Sequence, residues 1–229
     1  MSEETQYWFL RNHKLFSTLS GEDIKGLCII SKYKTARKQE IIYFADEPDS
    51  KIFLLKSGKI RIMEADAAGN EIVKEILQSG DIFGEITLSS QPGLNGEFAQ
   101  VLSDKVVICS FKKDDFEKLL EKKPFLALQY TKFVGFKLKR LKNRYANLVF
   151  KDVRSRLVHF LADWMENEGE QLSDGSISMN NYLTHQEIAN LICTTRQTAT
   201  QLLNEMEKAE QIKYNRKSIV ILKPQAFQL

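Results

Sequence analysis

Apolar residues change their spacing several times along this chain, and each change marks a different kind of element. Residues 6–30 read as helical, with Ser20-Gly21-Glu22-Asp23 as a helix start and Ile24, Leu27 and Cys28 on its buried side. From about 32 to 112 the pattern shortens to β-prone runs: Ile41–Phe44, Ile52–Leu55, Ile60–Met63, Ile72–Leu77 and Val106–Phe111. Turn residues separate them at 45–50, at Lys56-Ser57-Gly58 and at Gly69-Asn70, which predicts an antiparallel sandwich or barrel. Helical spacing then returns. Pro124 suits a first helical turn, and the pattern runs to about Leu148. Asp152 caps a further helix whose core face is Val153, Leu157, Phe160, Leu161 and Trp164, and a polar loop follows from Glu168-Gly169 to Gly175.

Residues 184–207 carry two helix-start signals ten residues apart. Thr184-His185-Gln186-Glu187 reads as one capping box and Thr194-Thr195-Arg196-Gln197 as another. Ile188, Ala189, Leu191 and Ile192 form the apolar face behind the first; Ala199, Leu202, Leu203 and Met206 form that behind the second. The second helix then turns Thr195, Arg196, Gln197, Thr200 and Gln201 outward. Arg pairs bidentately with guanine and Gln with adenine, so this is the composition of a helix that reads base edges. Two β-prone runs, from Ile212 to Tyr214 and from Ser218 to Leu222, flank the turn Asn215-Arg216-Lys217. Lys213, Arg216 and Lys217 there suit phosphate contact, which extends the helix-turn-helix to a winged one.

Within the long helix, Val134, Leu138, Leu141, Tyr145 and Leu148 repeat at 4, 3, 4, 3, a heptad seam. Phe133 and Phe136 lie off the seam and are expected to pack on the β domain. Two apolar stripes need two partners, and the simplest second partner is another copy of the helix, in a parallel homodimer. Burial of the whole helix within one subunit is the alternative. From Phe125 to Lys151 the helix carries seven positive residues and no acid. A parallel pair sets Lys137 against Lys142 across the seam, so either an anion lies there or these lysines are simply solvated.

Composition bounds the answer without deciding it. The chain has 229 residues, enough for two ordinary domains, with 43% apolar and 28% charged content. The net charge of +3, from 33 basic and 30 acidic residues, would not by itself point to nucleic acid. Cys28, Cys109 and Cys193 are scattered, odd in number and lack metal spacing, which suits structural thiols in a reducing cytoplasm. No secretory signal or membrane-spanning run is visible, so no membrane partner is expected. An enzyme is not expected either. Metal-dependent cupins share a β-roll, but 32–112 contains no His, and no nucleophile–base set or phosphate loop stands out.

The order β-roll, long helix, winged helix-turn-helix resembles the cyclic-AMP receptor protein (CRP/FNR) family of bacterial transcription regulators over nearly the whole chain. The motifs that carry the resemblance are Gly80-Asp81-Ile82-Phe83-Gly84-Glu85-Ile86, Asn147-Leu148-Val149-Phe150-Lys151-Asp152, Thr184-His185-Gln186-Glu187-Ile188-Ala189 and Thr195-Arg196-Gln197-Thr198. It implies an α+β chain with an N-terminal antiparallel β-roll (jelly-roll, cyclic-nucleotide-binding-like) domain over 1–123. A dimerisation helix and hinge would occupy 124–150 and a winged helix-turn-helix domain 151–229. By the same resemblance an effector would bind between β-roll and long helix, among Gly84, Glu85, Ile86, Glu97, Phe98, Lys137, Leu141 and Lys142. The family's cyclic-phosphate pair, Arg-Ser or Arg-Thr, aligns with Glu97-Phe98, and its adenine-contacting Thr-Ser pair aligns with Leu141-Lys142. A carboxylate facing a phosphate is repulsive, and a site built on hydrogen bonds fails without them, which argues against cyclic AMP. An iron–sulfur cluster and haem are likewise unsupported by the Cys and His placement. Glu97 is expected to pair with Lys142, of its own or the partner subunit, in place of an effector; an uncharged or cationic ligand in a reshaped pocket is the rival.

For DNA, the family's Arg-Glu pair and second Arg are here Arg196, Gln197 and Gln201. The expected operator is two-fold symmetric, with one guanine per half-site from Arg196, A·T-leaning bases under the glutamines, and half-sites about 10 base pairs apart. Thr184, His185, Gln186, Thr195, Thr198, Thr200, Arg216 and Lys217 complete the expected interface. RNA polymerase is the partner an activator of this family implies, though no motif here marks that contact. Cys193 stands where the family's turn usually has Gly, which strains the backbone if φ is positive. The alternative function is an effector-sensing or interaction module whose DNA binding is weak or non-specific.

Overall fold

The computed structural model describes residues 3–44, 51–65, 69–84 and 96–227. By internal contacts the chain forms two compact units, 1–140 and 141–229.

The first unit opens with two helices, α1 (Glu3–Asn12) and α2 (Gly21–Ile30). Ser20 caps α2 in the expected box with Asp23: its hydroxyl accepts from the Asp23 N–H while the Asp23 carboxylate takes the Ser20 N–H. Among the described residues eight strands follow: β1 (Lys32–Arg37), β2 (Ile41–Phe44), β3 (Lys51–Ser57), β4 (Ile60–Ala65), β5 (Glu71–Leu77), β6 (Ile82–Phe83), β7 (Gly96–Val101) and β8 (Lys105–Lys112). They form two four-stranded antiparallel sheets, β1-β8-β3-β6 and β2-β7-β4-β5. Ala36, Phe53, Leu55, Phe83, Val106 and Ile108 of one sheet meet Ile60, Ile62, Leu77, Ala99 and Val101 of the other in a dry core. Period-two alternation sends Ile52, Leu54, Ile82, Cys109 and Phe111 to the opposite face of the first sheet, where helices cover them. Residues 52–55 of β3 are thus apolar without interruption because both faces of the strand are buried there. The turn expected over 45–50 lies outside the described residues.

Helix α3 (Lys113–Lys122) leads into α4 (Pro124–Phe150). Leu126, Tyr130 and Phe133, at spacings of 4 and 3, pack on the helix-covered face of the sheet. Phe136, expected beside Phe133, is instead 59% exposed. Three residues on from Phe133, it has rotated past the narrow contact with the sheet.

The second unit holds the last turns of α4 and then α5 (Val153–Glu168), capped by Asp152, whose carboxylate accepts from the Ser155 N–H at 2.7 Å. Strands β9 (Glu170–Gln171) and β10 (Ile177–Asn180) occupy and follow the segment expected to be only a polar loop. Helices α6 (His185–Leu191) and α7 (Arg196–Lys208) precede β11 (Ile212–Tyr214) and β12 (Ser218–Ile221). The sheet order β11-β12-β10-β9 makes β10 the central partner of the β12 edge of the hairpin. The α+β order expected from the sequence is the order observed. Among the described residues, no helix is long and apolar enough to cross a membrane.

Candidate nucleic-acid interface

Helix α6 starts as the sequence predicts. Thr184 Oγ1 accepts from the Glu187 N–H, and the Glu187 carboxylate returns to the Thr184 N–H at 2.7 Å, an arrangement worth about 1 kcal/mol. The second cap lies one residue later than expected. Thr195, not Thr194, caps α7: its hydroxyl accepts from the Thr198 N–H and lies 2.9 Å from the Thr198 hydroxyl. The cause is Cys193, which sits at φ 54°, in the left-handed region. That turn directs the Thr194 N–H to the Ala189 carbonyl, so Thr194 belongs to the turn.

Ala199, Leu203 and Met206 bury one side of α7. On its other side Thr195, Arg196, Gln197 and Gln201 are exposed. Thr200 is half-buried and differs from them in role, since its hydroxyl donates to the Arg196 carbonyl and lies 2.6 Å from His185 Nδ1. His185 also packs against the Tyr214 ring, with centroids 5.1 Å apart. Burial, and then the Arg196 charge, hold its pKa below the ordinary imidazole value. Gln186, exposed on α6, donates to Asn190.

Three residues that the sequence reading passed over share the outer face of α7: Asn204, Glu205 and Lys208. Glu205 accepts from Gln201 at 2.9 Å and from Arg154 at 3.1 Å, so one of the two glutamines is held by a carboxylate. The helical spacing 197, 201, 204, 208 was the available signal for Asn204 and Lys208.

The wing is a tight hairpin. Asn215 closes it with its side-chain carbonyl accepting from the Lys217 and Ser218 N–H groups at 2.8 and 2.9 Å. Asn181 docks the hairpin on the unit, its amide donating to the Asn215 carbonyl and its N–H to the Lys217 carbonyl. Arg216 and Lys217 are exposed at the tip.

In the first unit, the residues expected around an effector fall out differently. Glu85 and Ile86 lie outside the described residues. Gly84 has φ +84°, and a Cβ there would strike the Lys51 carbonyl, so its role is backbone clearance. Phe98 is buried. Lys137 donates to the Ile82 carbonyl at 2.7 Å, which tethers α4 to β6 and draws that ammonium away from the seam. Glu97 lies directly across from Glu64 in the β7–β4 register. Lys74 stands at the β4–β5 bulge and bridges both carboxylates, 2.7 Å from Glu97 and 2.9 Å from Glu64. The counter-ion expected at Lys142 is therefore supplied inside the sheet by Lys74. Burial works against that ammonium, but the contacts with Glu97 and Glu64 outweigh it and its pKa is raised. Leu141 and Lys142, which fall in the second unit, are exposed on α4.

The seam residues Val134, Leu138, Leu141, Tyr145 and Leu148 are all exposed, from 37% to 69%. Among the described residues, no three His, Cys, Asp or Glu side chains converge in a way that could hold a metal ion.

Residues 33–123 match the family described as the cyclic nucleotide-binding domain and residues 155–228 the Crp-like helix-turn-helix domain, which together take in well over half of the chain. The chain is 26% identical over 191 residues to the global nitrogen regulator of Nostoc, covering 83% of this chain and 85% of that protein. It is 26% identical over 180 residues to the CRP-like cAMP-activated global transcriptional regulator of Mycobacterium tuberculosis, covering 79% of each. A solved structure of a CooA variant from Carboxydothermus hydrogenoformans is similar with TM-score 0.72 and 28% identity, covering 88% of each chain. FixK2 from Bradyrhizobium japonicum shares the fold alone, with TM-score 0.72 and 18% identity over 86% of this chain and 96% of that one.

Proposed function

We propose that this chain, which belongs to the CRP/FNR family of transcription regulators and is not an enzyme, binds a palindromic operator as a homodimer, without cyclic AMP. The observation that carries this reading is the outer face of α7. Arg196 and Gln197 stand exposed at the helix start, where a recognition helix meets base edges, and Gln201 follows one turn on. Thr195 and Thr198, at the start of α7, and the wing residues Arg216 and Lys217, on the hairpin that follows it, would position that helix on phosphates.

The dimer rests on the exposed seam. Five apolar side chains in one heptad stripe would be costly in water and are relieved by a second copy of the helix. Because Lys137 is turned to the Ile82 carbonyl, the lysine repulsion that a parallel pair would suffer is reduced.

The effector reading rests on Glu97. Where a cyclic phosphate would need a cation, two carboxylates already share one ammonium, leaving the cluster net negative. Phe98 brings no hydroxyl to it. The relatives do not point to one effector either, since a nitrogen regulator and a cAMP-activated regulator are equally identical to this chain. Acting on DNA places the protein in the bacterial cytoplasm.

One observation favours a second reading, a sensing or interaction module with weak DNA binding: Glu205 brings a carboxylate to the outer face of α7 and engages Gln201 there. In vitro selection from random duplex DNA by the purified protein, without ligand, separates the two. Enrichment of an A·T-leaning palindrome with one guanine per half-site is expected. Salt-dependent binding without enrichment would favour the second reading.

A further inference from the structure

We infer that Arg156, seconded by Arg144, is a positioning residue of the DNA reader: its guanidinium joins the end of the long helix to the turn that aims the recognition helix. The inference rests on the DNA-reading function proposed above. Arg156 uses all three of its nitrogens. Nε donates to the Ile192 carbonyl at 2.9 Å, Nη2 to the Cys193 carbonyl at 3.1 Å, and Nη1 to the Lys151 carbonyl at 2.9 Å. Ile192 ends α6, Cys193 is the left-handed turn residue, and Lys151 is the first residue after α4. Arg144, on the last part of α4, donates to the Leu191 carbonyl at 3.0 Å. Three successive carbonyls at the C-terminal end of α6, at residues 191, 192 and 193, are thus taken by two arginines.

This arrangement solves a local problem. The last carbonyls of a helix have no intrahelical donor, and the helix end carries a partial negative charge. A cation with donors satisfies both needs. The turn has a second difficulty, because a β-carbon at positive φ is disfavoured and Cys193 adopts φ 54° without the freedom of glycine. Capture of the Cys193 carbonyl holds that conformation. The turn sets the direction of α7 relative to α6, and hence where Arg196 and Gln197 meet a base pair. Only Arg can do this, since its planar fork reaches three acceptors in fixed directions while Lys presents a single point charge. Arg156 itself faces carbonyls, so it reads no base.

The test measures the affinity of Arg156→Lys for the operator that the wild type selects and for a scrambled duplex, each across a salt series. Folding is checked by circular dichroism. Loss of charge-assisted hydrogen bonds at the turn is expected to weaken operator binding by about tenfold or more. Scrambled-DNA affinity and the salt slope should stay unchanged, because no phosphate contact is removed. Adding Cys193→Gly, which relaxes the turn, should recover part of the loss. The inference is overturned if a folded Arg156→Lys keeps the wild-type preference, or if both affinities fall together with a smaller salt slope, the mark of a phosphate contact. Should Arg156→Lys fail to fold, Arg144→Gln must show the same selective loss, and its absence overturns the inference. A wild type that selects no operator fails the DNA-reading function itself, an outcome distinct from all of these.

Discussion

His185 Nδ1 lies 2.6 Å from the Thr200 hydroxyl, so the first residue of α6 is fastened to the middle of α7. Because the same hydroxyl donates to the Arg196 carbonyl, the imidazole N–H is the donor in the His185 contact. Thr200→Val keeps the shape and removes the oxygen. It is expected to cost roughly 1 kcal/mol of operator affinity, measured by fluorescence anisotropy, while Thr200→Ser retains binding. Equal affinities for all three proteins would remove this contact from the reader.

Arg196 is assigned the guanine of each half-site. Arg196→Ala is expected to cost about 1–3 kcal/mol on the operator and to relax selection at that base. Arg216→Ala, at the wing tip, should instead weaken binding to all sequences and reduce the salt slope by about one. If Arg196→Ala weakened operator and scrambled DNA equally, Arg196 would be a phosphate contact.

The seam predicts its own disruption. Leu138→Glu with Leu141→Glu places two charges on the exposed stripe of α4 without touching Leu126, Tyr130 or Phe133, which pack on the sheet. Sedimentation equilibrium should show a dimer for the wild type and a folded monomer for this variant, with operator binding lost. A wild-type monomer at micromolar concentration would remove the dimer from the account.

Lys74 keeps two opposed carboxylates together. Lys74→Met should lower the denaturant midpoint by an amount equivalent to roughly 1 kcal/mol, since the three groups are only partly screened from water. Glu97→Gln in the same chain should recover much of it, because one of the two repelling charges is gone. Cyclic AMP at millimolar concentration should leave the melting temperature of the wild type unchanged. A clear rise would contradict the reading of this cluster.

A pH dependence of stability follows from His13. Its Nδ1 accepts from the Leu15 N–H, which leaves Nε2 to donate to the Gly80 carbonyl 3.0 Å away, so the neutral ring fits the site. Burial lowers its pKa below the ordinary value of 6.5, against smaller raising effects from Gly80 and Asp81. The folded state therefore binds fewer protons than the unfolded state between those two values. Stability should be level above about pH 6.5, fall as the pH drops through that value, and level again below the folded-state pKa. Denaturant midpoints across this range check it. In His13→Gln, lower stability with a flatter profile is expected, and an unchanged profile would remove His13 as the cause.

What could be read from the sequence was local. Ser20-Asp23 and Thr184-Glu187 announce their helices because a capping box is complete within four residues. The unbroken apolar run Ile52–Leu55 likewise reports a strand buried on both faces, and the 4-3 spacing from Val134 to Leu148 marks one apolar stripe of α4. The errors all lie where distant residues decide. The cap of α7 shifts from Thr194 to Thr195 because Cys193 is held left-handed by a turn whose carbonyls Arg144 and Arg156 hold from other helices. Ile-Ser-Met-Asn at 177–180 becomes a strand through pairing with 218–221, some forty residues on, rather than through its own composition. Glu97 finds Lys74 because a bulge between β4 and β5 turns that lysine inward, and no spacing along the chain marks the bulge.

The most direct measurement compares the affinity of the protein for its selected operator with that for the same operator after an insertion of about five base pairs, half a helical turn, between the half-sites. A dimer that presents two α7 helices should lose most of its preference over scrambled DNA, because the half-sites then face opposite sides of the duplex. Undiminished binding to the altered operator would contradict a symmetric dimer that reads DNA through paired helix-turn-helix heads.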